Sequence, residues 1–195
     1  MDGVLPSCNG RNCPSHGDEE KGTKEMSEIV WPEKYTPGTT DNYSSNEVIV
    51  RGLSAAEVWP YLNDATAWPT YYKNATKIGF DGGAGPEFSQ GARFRFTTFG
   101  VVVECEITEH VPPAEGKPAR LAWQAWIGGP DDKALDVLHA WLIEDLPGGR
   151  VRILSQESQI GKLAKEMAIK KPNPLINSHQ DWLEGLAHTA AKASK

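Results

Sequence analysis

The stretch Ala134-Leu-Asp-Val-Leu-His-Ala-Trp-Leu-Ile-Glu144, followed by Leu146-Pro-Gly-Gly149 and Arg150-Val-Arg-Ile-Leu-Ser-Gln-Glu-Ser-Gln-Ile160, decides the fold. Two β-rich runs flanking a Pro-Gly-Gly turn read as an antiparallel pair, because so short a connection cannot cross over to a parallel strand. Every second residue of a strand shares a face. The odd positions of the first run are Leu135, Val137, His139, Trp141 and Ile143, and the even ones are Asp136, Leu138, Ala140, Leu142 and Glu144. Both faces carry apolar residues. The odd face is assigned inward because the even face has acids at its ends. In the second run the odd set is Val151, Ile153, Ser155, Glu157 and Gln159, and the short turn places His139 opposite or diagonal to Glu157.

Upstream, Glu47-Val-Ile-Val-Arg51 is a first short strand. Gly52-Leu-Ser54 breaks it, and Ser54 with Glu57 has capping-box spacing for a helix that buries Val58, Trp59 and Leu62 and stops near Asn63-Asp64. Pro69, within Ala65 to Lys73, suits the first turn of a second short helix. Further strands are expected at Ala75 to Phe80, Ala92 to Thr98, Val101 to His110 and Arg120 to Ile127, separated by loop signals such as Asp81-Gly-Gly-Ala-Gly-Pro86 and Val111-Pro-Pro-Ala-Glu-Gly116. After Asn173-Pro174, the residues Leu175, His179, Trp182, Leu183, Leu186 and Ala190 recur at spacings of three and four, which predicts a long amphipathic C-terminal helix. The order predicts an α+β fold. A curved seven-stranded antiparallel sheet should wrap a long C-terminal helix, with two short helices after strand one and an elongated cavity between sheet and helix.

The 195 residues include 26 acidic and 20 basic side chains, a net charge of −6, with no basic stripe of the kind nucleic acid requires. Uninterrupted apolar stretches such as Val101 to Val103 are far shorter than the roughly 20 residues of a membrane-spanning helix, so no membrane insertion is expected. The N-terminus shows no basic, apolar leader, and a cytoplasmic protein is the expectation. Three cysteines cannot all pair within one chain. All seven Trp lie between Trp31 and Trp182, and residues 1–30 contain no aromatic. Residues 1–28 therefore read as a disordered polar, acidic tail, 29–45 as an irregular lead-in strap, and 46–195 as the ligand-binding domain. Cys8 and Cys13 admit a small redox loop or half a metal site, but no second pair completes a zinc set. Oligomeric state is not legible.

Ser54-Ala-Ala-Glu-Val-Trp-Pro-Tyr-Leu62, Trp68-Pro-Thr-Tyr-Tyr72, Gly91-Ala-Arg-Phe-Arg-Phe96, His139-Ala-Trp-Leu-Ile-Glu144 and Arg150-Val-Arg-Ile-Leu-Ser-Gln-Glu157 resemble the SRPBCC superfamily. This is the START/Bet v 1-like helix-grip fold, and the likeness falls within its polyketide cyclase/dehydrase and lipid-transport group, over residues 45–192. The resemblance implies a hydrophobic or aromatic ligand held between the sheet and the last helix, and in some members its cyclisation, dehydration or hydrolysis. Fold alone does not choose among these. The expectation is an enzyme of secondary metabolism, lyase or isomerase in type, acting without cofactor on a polycyclic or polyketide-like molecule. A non-catalytic carrier or sensor of a hydrophobic ligand is the alternative, and an interaction domain docking through its tail is a third reading.

His139 and Glu157 are the candidate catalytic pair: a carboxylate beside an imidazole raises its pKa and orients one nitrogen, which suits general acid/base work, although a buried hydrogen-bonded pair needs no such role. His179 on the apolar stripe of the last helix either meets ligand or fills space, with Trp182 beside it. Trp123 and Trp126 lie on opposite strand faces, so one of them, with Trp141, is expected to wall the pocket. Tyr71 and Tyr72 either gate the entrance or pack. Arg93 and Arg95 read as a solvated face, with Arg95 turned inward to hold an oxyanion as the functional alternative. His139, Glu157 and His179 raise a metal question, but no HExxH or CxxC-type spacing supports one, and no metal is expected. The chain has no GxSxG, GxxxxGK[ST] or GxGxxG motif.

Overall fold

The computed structural model of the protein describes residues 26–83, 85–128 and 133–194. The tail reading, Cys8 and Cys13 included, falls outside the described residues up to position 25. Seven strands form one antiparallel sheet: β1 (Asn42–Arg51), β2 (Thr76–Phe80), β3 (Arg93–Thr98), β4 (Val101–Val111), β5 (Ala119–Gly128), β6 (Lys133–Leu146) and β7 (Arg150–Ile160). Their order across the sheet is β1-β7-β6-β5-β4-β3-β2, so the decisive hairpin, β6–β7, lies near one edge with only β1 beyond it. Helices α1 (Ala55–Asn63) and α2 (Trp68–Tyr71) follow β1, and α3 (Lys162–Ala168) and α4 (Pro174–Ala193) end the described chain. The seven-stranded curved sheet gripping a long terminal helix is the expected helix-grip architecture.

Local chemistry sets the helix ends. Ser54 accepts from the Glu57 amide and the Glu57 carboxylate accepts from the Ser54 amide, the reciprocal capping box that the spacing indicates. Pro69 sits in the first turn of α2. Asn173 caps α4 by accepting from the Leu175 amide, and the buried stripe of Leu175, His179, Trp182, Leu183, Leu186 and Ala190 lies against β1, β7, α1 and α2. Trp68, fully buried, is the hub of an aromatic core with Phe88, Phe94, Phe96, Trp123 and Trp182.

Two features differ from the sequence reading. Strand β1 begins at Asn42, five residues before Glu47, because its inward positions there are polar and pair with polar partners: Asn42 Nδ2 donates to Gln159 Oε1 at 2.7 Å and Asn46 Nδ2 to Gln180 Oε1 at 3.0 Å. No apolar alternation marks such a strand. Helix α3, with its buried Ala164, was not anticipated, being a seven-residue helix without a side-chain N-cap.

Both faces of β6 are buried, which explains its apolar parity. Leu135, Val137, Trp141 and Ile143 belong to the main core under α4, while Leu138, Ala140 and Leu142 pack with Ile29, Tyr35 and Trp31 of the lead-in strap on the other face. Just before the strap, at the end of the stretch read as tail, Ser27 is fixed as well: Arg152 Nη1 donates to its carbonyl at 2.7 Å and to Glu144 Oε1 at 2.8 Å. Among the described residues no helix is long and apolar enough to cross a membrane.

Candidate active site

Between the inner face of the sheet and helices α3 and α4 lies a cavity of about 370 Å³. Phe96, Val103, Trp123, Val137, Leu175 and Trp182 make most of its wall apolar. Helix α3 adds Leu163 and Met167, and the β3–β4 turn adds Phe99, whose amide donates to Asn74 Oδ1 at 2.8 Å. Exposed Glu166 and Lys170 also line it.

One corner is polar. His139 and Glu157 face each other directly across the β6–β7 ladder. His139 Nδ1 lies 3.0 Å from Glu157 Oε2, and His179 Nε2, descending from α4, lies 3.3 Å from the same oxygen. The imidazole centroids are 4.5 Å apart with planes inclined by 17°. Each ring is held at its other nitrogen, His139 Nε2 by Ser155 Oγ at 2.8 Å and His179 Nδ1 by Ser44 Oγ at 3.1 Å. Glu157 Oε1 accepts from Gln159 Nε2 at 2.5 Å, Gln159 accepts from Asn42, and Asn42 Oδ1 accepts from Asn173, the cap of α4. A continuous line of side-chain amides thus connects the cavity carboxylate to the start of the gripping helix.

Burial pushes the His139 imidazole down to about 4, against the opposing pull of the Glu157 charge. Glu157 pulls the His139 pKa upward as expected, but loss of solvation outweighs that attraction and the net direction is down. Burial alone would raise Glu157, but the His139 and His179 rings facing it hold its carboxyl well below the usual range. At neutral pH the corner holds an ionised carboxylate and a neutral His139. With the carboxylate only able to accept, the tautomer that satisfies both of its contacts carries the proton on Nδ1 and accepts from Ser155 at Nε2.

Of the other anticipated residues, Trp123, Tyr72, His179 and Trp182 line the cavity. Tyr72 stacks on Trp182 at 4.3 Å and shares a hydrogen bond with Ser178. Tyr71 does not reach the cavity: its hydroxyl donates to the Tyr61 carbonyl at 2.8 Å and it borders a separate cleft. Trp141 is core beneath His139 rather than wall. Trp126 lies on the opposite face, where Arg93 covers its ring at 5.7 Å. Arg95 points outward and pairs with Asp81 at 3.3 Å, since its strand neighbours Phe94 and Phe96 take the buried face. Gln159, Leu163 and Met167 were not singled out from sequence. Gln159 shares the strand face of Glu157, and Leu163 and Met167 are four apart on one helical stripe, so the signals were present but short.

A curved antiparallel sheet closed by a terminal helix over an internal cavity is the helix-grip fold. The chain belongs to the family of the hypothetical protein jhp0584 of Helicobacter pylori, to which it is 44% identical over 85% of this chain and 98% of that one, with a TM-score of 0.78. Norcoclaurine synthase of Thalictrum flavum is 14% identical over 79% of this chain and 96% of its own, with a TM-score of 0.56. The di-domain ARO/CYC protein BexL of the BE-7585A biosynthetic pathway is 12% identical over 75% of this chain and 45% of its own, with a TM-score of 0.52. These two likenesses show the fold alone. No protein-family model and no curated protein matches the chain.

Proposed function

We propose that the protein takes an apolar, ring-bearing or polyketide-like small molecule into the cavity and promotes its cyclisation, dehydration or isomerisation. The observation that carries this reading is the pairing of an aromatic wall with a single buried polar corner at His139, Glu157 and His179. The wall confines a flexible chain in a folded, reactive shape, which supplies much of the rate gain in such reactions. The corner meets the oxygen-bearing end of the ligand, with His139 and Glu157 the groups positioned to exchange a proton with it. A synthase and a biosynthetic ARO/CYC protein share the fold, which is consistent with this reading without choosing the substrate.

A carrier role is the second reading, favoured by one observation: His139 is buried, which disfavours its protonated form and makes it a weak base at neutral pH. One experiment separates the two. Protein purified from its own source is analysed by native mass spectrometry for a retained compound, which is then incubated with fresh protein. Conversion that falls in Glu157→Gln supports catalysis, whereas recovery of unchanged compound after long incubation leaves the carrier. Absence of any ring-bearing or polyketide-like ligand from the source protein, and of binding to a panel of such compounds, refutes both.

A further inference from the structure

The three residues of the polar corner come from β6, β7 and α4, and their ligand-type atoms all lie within 4.8 Å of one another. All three are buried and all three line the cavity. The two nitrogens stand 3.0 and 3.3 Å from Glu157 Oε2. Bonds of about 2.0–2.2 Å to a first-row cation put adjacent donors about 3.0 Å apart at a right angle and about 3.4 Å apart at a tetrahedral one. The nitrogen–oxygen separations match neighbouring positions round one ion, and the two rings, inclined by only 17° with centroids 4.5 Å apart, would turn their planes toward it on binding.

The far ends of the donors add a second, independent observation. Imidazoles that bind metals are oriented through their other nitrogen, and the carboxylates beside them are themselves hydrogen-bonded. Here Ser155 holds His139 Nε2, Ser44 holds His179 Nδ1 and Gln159 holds Glu157 Oε1. Among the described residues, the near ends are hydrogen-bonded only to one another. With protein behind the donors and the cavity in front, an ion there keeps open positions facing a ligand, which distinguishes catalytic from structural sites.

We propose that His139 Nδ1, His179 Nε2 and the Glu157 carboxylate bind one divalent first-row transition ion. Two imidazoles and one carboxylate suit zinc, cobalt(II) or iron(II) rather than calcium or magnesium, which prefer all-oxygen surroundings. Sequence spacing is silent here, since the donors lie on three separate elements and converge only through the β6–β7 register and the packing of α4. The inference goes beyond the reaction proposed above and does not rest on it. A cation and a proton shared by His139 and Glu157 use the same lone pairs and exclude one another, so ion occupancy controls the proton chemistry of the corner.

The test uses full-length protein carrying Cys8→Ser and Cys13→Ser, which removes the cysteine donors of the N-terminal segment. Chelator-stripped protein is titrated with cobalt(II) chloride and followed by calorimetry and visible absorption. One equivalent should bind, give the visible bands of a low-coordinate cobalt(II) centre, and be displaced by zinc(II). Affinity should fall about 100-fold or more in Glu157→Gln and by about 10–100-fold in Ser44→Ala and Ser155→Ala. The two serine variants alter no donor, so they keep the test decisive if Glu157→Gln folds poorly. Failure of the stripped protein to bind cobalt(II), or binding that all three variants leave unchanged, overturns the site. Because no substrate is present, that result is separate from the success or failure of the reaction proposed above.

Discussion

His139 and Glu157 are directly opposed on neighbouring strands, 3.0 Å apart and both buried, in a wall that is otherwise largely apolar. Such a pair is costly to desolvate and costly to break, but less so to remove whole.

His139→Leu removes one of the donors to the buried Glu157 carboxylate, which keeps His179 and Gln159, and should destabilise the protein by about 1.5–3 kcal/mol. The double variant His139→Leu/Glu157→Leu should be more stable than the single one. Urea denaturation of the three proteins checks this, and a double variant weaker than His139→Leu would show that the corner is held by packing rather than by charge.

Gly185 in α4 sits where the helix crosses α2. A Cβ there would lie 2.3 Å from the Tyr71 carbonyl oxygen, a contact with backbone that no side-chain rotation relieves. Alanine gains about 1 kcal/mol of helix propensity over glycine, but overpacking costs about 1–3 kcal/mol or more. Gly185→Ala should lower the melting temperature despite its better propensity, and a raised value would mean that α4 slides freely over α2.

Asp136 lies under the strap, where it meets the Lys34 ammonium, the Tyr35 hydroxyl at 2.8 Å and Gln124 Nε2 at 2.9 Å. Burial would raise its pKa, but Lys34 and the Gln124 and Tyr35 donors together hold it below the usual value. A depressed folded-state pKa contributes stability that is present above the unfolded value and is lost as pH falls through the folded one. Asp136→Asn should thus cost stability at pH 7 and flatten the loss that sets in as pH falls below the unfolded value of about 3.9. Denaturant midpoints against pH in both proteins read this out, and parallel curves would dismiss the strap contact.

Trp68 Nε1 donates to the Leu62 carbonyl at 2.9 Å, in the last turn of α1, where helix carbonyls lack intrahelical partners. Trp68→Phe keeps an aromatic core but leaves that buried acceptor unmet. A loss of about 1–3 kcal/mol is expected from the carbonyl alone, with more from the vacated ring volume. Chemical denaturation measures it, and a loss below this range would mean that solvent reaches the Leu62 carbonyl.

The fold was legible because its signals are local. Ser54 with Glu57, the Pro147-Gly-Gly149 turn and the stripe from Leu175 to Ala190 each act over a few residues, and the turn alone sets the His139–Glu157 register. The candidate site was legible only in part. His179 reaches Glu157 through the docking of α4, a long-range relation with no trace in spacing. Trp126 and Arg95 could not be placed because a face is named inner or outer only by what covers it, and the strap that covers the outer face of β6 lies a hundred residues upstream. The direction of the His139 pKa was missed for a related reason. The carboxylate is visible in the sequence, whereas the depth of burial that outweighs it is a property of the closed sheet and helix.

Ala125, on the cavity wall between Trp123 and Ile127, offers a test of the cavity itself. Enlarging a side chain in a filled core forces strain, usually about 1–3 kcal/mol. Enlarging one that faces empty volume removes a void and adds contacts, which is neutral or stabilising. Ala125→Phe should therefore keep or raise the melting temperature while abolishing uptake of a bulky apolar ligand, because the new ring occupies the space the ligand needs. Quenching of the wall tryptophans Trp123 and Trp182 by a titrated aromatic compound reports uptake directly. The polar corner is left intact by this substitution, so cobalt(II) binding should persist in the same variant. Loss of both ligand and cobalt(II) would indicate a collapsed site, and retention of ligand would mean that the binding space lies elsewhere than between β5 and α4.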